Sequence, residues 1–226
     1  MIHQLENYSW NSLNNSQIKL TIGTDTARRY AAGGSNILAF ESLMTPDFDA
    51  IRPFCQIGAP FYCAGLTNSL TDEWKLLMEG EMLLMVFEGE PPSPKQDLNI
   101  VTLGEKDVPQ ILALTDLVSP GPFGPRTCEV GEYIGIFDGD KLISIAGERF
   151  WAPPFREISA VCTHPDYQRR GLAKSLIIEL LNRQSQRREV STLHVISNNH
   201  TALDLYSKLG FTTYKAMSVR LVERLL

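Results

Sequence analysis

One stretch, Glu157–Leu181, constrains the fold more than any other part of the sequence. It begins with a short run rich in β-branched residues, and Pro165 ends that run because proline cannot donate a hydrogen bond within a central strand. The polar turn Gln168–Ala173 follows, and from Leu172 onward apolar residues recur at helical spacing. The stretch therefore predicts a strand, a basic glycine turn and a helix.

A turn of this kind can bind an anion at the start of its helix. The first backbone N–H groups of a helix have no partners inside it, and the helix dipole is positive at that end. Gly171 lets a backbone approach the ligand closely, and Arg169 and Arg170 match phosphate oxygens. We expect a diphosphate there. The alternative is a plain structural turn, because a single glycine turn before a helix is a weak signal.

The six residues Gln168–Ala173 resemble the acyl-coenzyme-A motif of the GNAT N-acetyltransferases, Gln/Arg-x-x-Gly-x-Gly/Ala. The run from Glu157 to Phe211 is similar in particular to the FR47-like branch of that superfamily. The similarity includes the strand ending Thr163-His164-Pro165 and the later segment Leu205–Phe211. The resemblance implies a GNAT acyl-CoA N-acyltransferase fold and acetyl-coenzyme A as the cofactor.

The order of elements after Leu98 predicts an α/β protein with a mixed sheet covered by helices. Ahead of it, Gly89–Gln96 has the composition of a linker. We therefore predict a smaller α/β N-terminal domain over residues 1–93 and a GNAT acetyltransferase domain over residues 94–226. In FR47-like proteins the first part is often a degenerate half of the same fold, which implies a packing or substrate role for residues 1–93.

Within the first part, apolar alternation and β-rich runs predict three strands, over Gln17–Ile22, Pro60–Leu66 and Met82–Phe87. The segment Trp74–Met78 is predicted to be a short helical piece. Trp10 and Leu13 are the expected anchors of the polar N-terminal segment.

Composition excludes several classes of protein. The net charge is −5, whereas binding to duplex phosphates needs a basic excess, so no nucleic-acid partner is expected. The four cysteines have no paired spacing, so neither a zinc site nor a disulfide framework is expected. The chain has neither a signal-like start nor an apolar run long enough for a bilayer. We expect a cytoplasmic protein, monomer or homodimer, with no membrane partner.

The resemblance also implies where the cofactor binds. The pantetheine arm is expected along the edge of the strand Ala160–Thr163, as an added strand would lie. A backbone N–H of Val161 or Cys162 is then placed to hold the carbonyl oxyanion. The predicted cofactor-binding residues are Ala160, Val161, Cys162, Thr163, Gln168, Arg169, Arg170, Gly171, Leu172, Ala173, Asn199 and Tyr206.

Amine acetylation needs a base, because an alkyl ammonium has a pKa of roughly 10 and must lose a proton before it can attack. Glu157 stands ahead of Gln168 at an offset similar to that of the catalytic glutamate in histone-acetylating GNATs. Glu148 is the second candidate and Glu132 the third. The alternative for each is a glutamate on a solvated strand end.

Tyr206 stands where many GNATs have a tyrosine whose hydroxyl reaches the coenzyme sulfur, so it is the predicted acid; its alternative is a core aromatic. Asn199 matches the family asparagine that contacts the cofactor arm, and its alternative is a helix N-cap. The acceptor pocket is expected at the loop Ser119–Thr127 around Phe123, at the strand ends with Glu132 and Glu148, and at surfaces of the N-terminal domain. Acidic groups there would suit a cationic acceptor.

The resemblance implies an acetyl-coenzyme-A-dependent N-acetyltransferase that acts by direct transfer in a ternary complex. Its acceptor is expected to be a small amine or an amino acid. Two alternatives stay open: a protein N-terminus or lysine as the acceptor, and a non-catalytic module that binds an acyl-coenzyme A and regulates.

Overall fold

The computed structural model of the protein describes residues 2–93 and 98–226. The predicted linker Gly89–Gln96 ends outside these two ranges. The predicted domain boundary, after residue 93, lies at the edge of the first range. Within them, eleven strands form one mixed sheet in the order β1-β2-β3-β4-β11-β5-β10-β9-β8-β7-β6. The strands are β1 (Thr21–Gly23), β2 (Ala27–Tyr30), β3 (Ile37–Phe40), β4 (Pro60–Ala64), β5 (Trp74–Phe87), β6 (Ile100–Thr102), β7 (Tyr133–Asp138), β8 (Lys141–Ala152), β9 (Phe155–Thr163), β10 (Val190–Ile196) and β11 (Phe211–Arg224).

Helices cover both faces of this sheet. They are α1 (Tyr8–Asn11), α2 (Phe48–Ile51), α3 (Val108–Val118), α4 (Leu172–Gln186) and α5 (His200–Leu209). The apolar stripe of α4 packs on one face, against side chains of β5 and β7 to β10. The N-terminal segment packs on the other face, where Trp10 and Leu13 are buried as predicted. Burial of both faces accounts for the long apolar runs in the central strands.

Strand β5 joins the two parts of the chain. It lies between β10 and β11 and is antiparallel to both, although it precedes them in sequence. Strands β1 to β4 then extend the sheet beyond β11. Residues on both sides of position 93 therefore share one sheet, and the division into domains 1–93 and 94–226 stays a prediction.

Strands β9 and β10 are parallel neighbours for only three residue pairs, from Val190–Phe155 to Thr192–Glu157. Beyond these pairs β9 continues along β8, and β10 continues along β5. The two strands therefore diverge, and the sheet opens between them. This opening leaves one edge of β9 available to pair with a ligand.

The predicted strand, turn and helix at Glu157–Leu181 are confirmed, and the elements after Leu98 form part of a mixed sheet as predicted. Two predictions in the first part are wrong. Trp74–Met78 is strand, because its backbone pairs with β11 and that ladder overrides its local pattern. Gln17–Ile22 is mostly a 3₁₀ turn followed by the short β1. Across residues 2–93 and 98–226, no helix has the length and apolar character needed to cross a membrane.

Candidate active site

A cavity of about 490 Å³ lies where β9 and β10 diverge, a size typical of small-molecule sites. Its walls come from β9, β10 and α5, from the loop after α3, and from strands of the N-terminal part. Apolar side chains dominate, and the charged or titratable groups include Arg149 and His194. Within the described chain, no aspartate or glutamate lines it. The residues that line the cavity include Ile37, Tyr62, Met78, Met82, Ser119, Pro120, Arg149, Phe150, Ala160, Val161, His194, Asn199 and Tyr206.

A β-bulge shapes the β9 wall of this cavity. Ser159 pairs with Gly147 and Cys162 pairs with Ile145, so two residues of β9 lie opposite one residue of β8. Ala160 takes the bulge with a φ of 52°, a left-handed conformation that costs an alanine about 1 kcal/mol. Such strain concentrates at functional sites. The bulge reorients the backbone of Ala160 and Val161 at the cavity wall.

The turn before α4 also has left-handed backbone. Arg169 has a φ of 61°. Gly171, the N-cap residue of α4, has a φ of 82° and has no side chain with which to cap the first N–H groups of the helix. Residues Gln168 to Gly171 are exposed. The Arg170 guanidinium lies over the ring of Tyr167, 4.8 Å from its centroid, which holds one cation beside the turn. The start of α4 therefore offers free N–H groups next to two arginines.

A buried ion cluster lies beside the cavity, on the face covered by the N-terminal segment. The Glu157 side chain is 0% exposed and faces a second bulge of β8, formed by Arg149 and Phe150. Arg149 donates from Nε to Oε2 at 2.9 Å and from Nη2 to Oε1 at 2.7 Å. The Phe150 N–H approaches Oε2 at 3.3 Å, and His194 Nδ1 lies 2.6 Å from Oε1.

These contacts set the charge of Glu157. Burial by itself raises the pKa of its carboxyl, but the contacts with Arg149 and His194 outweigh burial and lower the pKa to about 2. The carboxyl is therefore ionised at neutral pH. Both oxygens are occupied, so Glu157 acts as a fixed negative charge between Arg149 and His194.

Comparison with solved structures decides the family. The chain matches a crystal structure described as a putative acetyltransferase from the GNAT family of Novosphingobium aromaticivorans, with 31% identity and a TM-score of 0.89. The match covers 98% of this chain and 99% of that one. The chain belongs to the GNAT family.

Other matches agree with this assignment. The family model described as "FR47-like protein" matches residues 133–220 of the GNAT chain. The curated N-alpha-acetyltransferase RimI of Mycobacterium tuberculosis is 38% identical over 82 residues, which are 35% of this chain and 51% of that protein. The chain thus spans about half the length of that curated relative. A GCN5-related N-acetyltransferase-like protein of Streptococcus suis, 16% identical with a TM-score of 0.59 over 99% of both chains, shares the fold. The predicted fold and family are confirmed.

In this GNAT chain, the residues predicted to bind coenzyme A lie along one path. The bulged stretch Ala160–Thr163 forms the open edge of β9, and the turn Gln168–Ala173 follows that strand and starts α4. The path ends in free N–H groups and two arginines, so its donors suit an elongated ligand with a diphosphate at one end. The residues fit acetyl-coenzyme A, and their individual roles stay predictions.

Two other predicted residues line the same cavity from α5. Burial raises the pKa of Tyr206 to about 12, and its hydroxyl has no hydrogen-bond partner within the described part of the chain. Asn199 is the N-cap residue of α5, and its Oδ1 accepts from the Ala202 N–H at 3.2 Å. Asn199 is therefore a helix N-cap, the alternative to cofactor contact, and it also lines the cavity.

Glu148 and Glu132 lie outside this cavity, on the face covered by α4. Glu148 is buried, where its carboxylate accepts from Gln184 Nε2 at 3.0 Å and pairs with Arg187. Glu132 pairs with Arg183 and Arg187. These carboxylates link α4 to the sheet, so the geometry gives no support to acid or base work, or to acceptor binding, by either residue.

The loop after α3 lines the cavity, but Phe123 does not. Ser119 to Pro122 contribute to the wall, while the Phe123 ring packs edge-on against Tyr133, with centroids 5.8 Å apart. Phe123 therefore supports the loop from behind. Glu132 and Glu148 are absent from the cavity wall, which is mostly apolar and to which the N-terminal part contributes Ile37, Tyr62, Met78 and Met82.

Sequence reasoning missed Arg149 and His194. Arg149 directly follows the candidate base Glu148, but neither Arg149 nor His194 belongs to a motif. The alternation of Thr192 and His194 with apolar residues was the available signal for His194, and Arg149 has no such signal.

Cys162 is no nucleophile here, because burial raises the pKa of its thiol to about 12 and keeps it protonated. No group of His, Cys, Asp and Glu side chains that could hold a metal ion occurs in residues 2–93 and 98–226.

Proposed function

We propose that this GNAT chain is an acetyl-coenzyme-A-dependent N-acetyltransferase that acetylates the amine of a small molecule or amino acid within a ternary complex. The opening between β9 and β10 carries the proposal: it joins the turn Gln168–Ala173 to a cavity in which a bulged strand, a histidine and a tyrosine meet. Bound acetyl-coenzyme A would supply the acetyl thioester. The N–H groups of Val161 or Cys162 would hold the oxyanion, where one donor is worth about 3 kcal/mol.

Tyr206 is the proposed proton donor to the leaving thiolate. Tyr206 lines the cavity, and the raised pKa of its hydroxyl keeps the proton in place at neutral pH. Asn199 and the start of α5 hold this side of the cavity in position through the N-cap bond. Gly171 and the two arginines of the turn anchor the diphosphate end.

The acceptor is proposed to carry its amine on an apolar body. Ile37, Tyr62, Met78 and Met82 provide apolar contact, and no carboxylate is among the described lining residues to pair with further cationic groups. A protein α-amine is the second candidate acceptor, because the local similarity to an N-alpha-acetyltransferase favours it.

Thermal melting with and without acetyl-coenzyme A tests cofactor binding. A ligand at a hundred times its dissociation constant stabilises the native state by about 2.7 kcal/mol, or about 5–10 °C for a chain of this size. Release of free thiol in the presence of amines and of short peptides then tests transfer and ranks the two acceptor classes. A melting shift with no thiol release from any acceptor would identify a binding module instead, and absence of the shift would remove the proposal.

A further inference from the structure

His194 and Glu157 differ in their position relative to the cavity. Glu157 lies beside the cavity and is absent from its lining, whereas His194 is among the lining residues. Both oxygens of Glu157 are already engaged, Oε1 by Arg149 Nη2 and His194 Nδ1, and Oε2 by Arg149 Nε and the Phe150 N–H. A carboxylate with no free lone pair facing a substrate cannot take a proton from it.

The contact with Glu157 fixes the protonation pattern of the His194 ring. Glu157 is ionised and can only accept, so Nδ1 must carry the hydrogen in the 2.6 Å contact. In the neutral ring the lone pair is then at Nε2. Nε2 has no hydrogen-bond partner among residues 2–93 and 98–226. Tyr8 stacks on the ring and Phe150 packs edge-on, each with a centroid distance of 6.2 Å, so the ring orientation is held from two sides.

We propose that His194 Nε2 is the general base of the acetyl transfer, and that Glu157 is the positioning residue that orients its ring. The inference rests on the proposed function. Nε2 takes one proton from the acceptor ammonium, and the freed electron pair of the nitrogen forms the bond to the acetyl carbon. As the C–S bond breaks, Tyr206 gives its proton to the thiolate and regains one from the nitrogen that becomes the amide. His194 then releases its proton to solvent.

The surroundings of the ring suit this role. Its charged and titratable neighbours are Glu157 of β9, Arg149 of β8 and Tyr8 of α1, and the residue opposite it on β5 is Leu84. The imidazolium that forms is stabilised by Glu157, while Arg149 balances that carboxylate in the resting state. Tyr8 stays neutral, because burial raises the pKa of its hydroxyl.

His194→Asn is the decisive variant, because its amide keeps a donor toward Glu157 and lacks a base. We expect kcat to fall by about 100-fold or more, an unchanged melting shift with acetyl-coenzyme A, and loss of the acidic limb of the kcat/KM profile. His3→Asn, in the 3₁₀ turn Ile2–Leu5 away from the cavity, is the matched control and should leave kcat and the profile unchanged. An H194N enzyme with wild-type kcat and an intact acidic limb would overturn the proposal.

Nitrogen NMR of the histidine rings tests the positioning role without turnover. We expect neutral His194 to be the Nδ1–H tautomer in the wild type and a mixture of tautomers in Glu157→Gln, whose amide can donate as well as accept. A wild-type ring protonated at Nε2 contradicts the inference. If acetyl-coenzyme A binds but no amine is acetylated, the proposed function fails, and the tautomer alone then decides whether Nε2 is available as a base.

Discussion

Arg149 and Glu157 form a two-point ion pair inside the sheet, with N–O distances of 2.9 and 2.7 Å. The Glu157 side chain is 0% exposed and that of Arg149 is 15% exposed. Removing one partner of such a pair leaves a buried charge without compensation, which is costlier than removing both. The pair therefore ties the stability of the fold to the site.

Arg149→Met should destabilise the protein by about 3–5 kcal/mol, because it leaves the Glu157 carboxylate buried beside His194 alone. The double variant Arg149→Met with Glu157→Leu should recover much of that loss. Urea unfolding of the wild type and of the two variants checks this. An R149M protein as stable as the wild type would show that the pair contributes nothing.

Glu157 should also make stability depend on acid pH. Its pKa is about 2 in the folded protein, below the ordinary 4.5, so its contribution is fully present above pH 4.5 and is lost as pH falls towards 2. Glu157→Gln imitates the protonated form, so the gap in unfolding free energy between wild type and E157Q should shrink over this range. A gap that stays constant from pH 6 to pH 2.5 would contradict the lowered pKa.

Local sequence patterns were sufficient to predict the turn and helix at the proposed diphosphate site. The turn Gln168–Ala173 and the helix after it depend on residues that are adjacent in sequence. Pro165 marks the end of the preceding strand, and Gly171 marks the start of the helix. Trp74–Met78 was misassigned because its strand is defined by pairing with β11, far along the chain, and exposed side chains leave little alternation there.

The arrangement of Glu157 and His194 depends on contacts that the sequence does not reveal. Glu157 and His194 are 37 positions apart and meet only where β9 and β10 run side by side. Glu148 was the second candidate base, but it pairs with Ile158, the neighbour of Glu157 on β9, so the two glutamates lie on opposite faces of the sheet. The bulge at Ala160 has no marker either, since an alanine occupies a position where glycine would have signalled a left-handed backbone.

Gly171→Glu should abolish the melting shift with acetyl-coenzyme A. The substitution places a negative charge at the proposed diphosphate site and strains a residue whose φ is 82°. Gly58→Glu is the matched control, because Gly58 also has a positive φ, 74°, and a side chain there meets no neighbouring atom. G58E should keep the full shift; equal loss in both variants would mean that strain, not the anion site, is responsible.

Ala160→Gly should leave stability unchanged or raise it by up to about 1 kcal/mol, since glycine adopts a φ of 52° without the alanine penalty. Ala146→Gly, on β8 opposite the bulge, is the comparison: that alanine is fully buried and should cost about 1 kcal/mol when its methyl group is lost. Urea unfolding gives both values. Equal destabilisation by the two substitutions would argue against a strained bulge.

Tyr206→Phe separates catalysis from packing. Because no partner for the hydroxyl is present in the described structure, its removal should leave the free energy of unfolding within about 0.5 kcal/mol of the wild type. The ring remains to pack against Phe211, with centroids 6.0 Å apart. Without a proton for the thiolate, kcat should fall by about 10-fold or more while the melting shift with acetyl-coenzyme A persists. A Y206F enzyme that is destabilised but turns over normally would assign this tyrosine to the core alone.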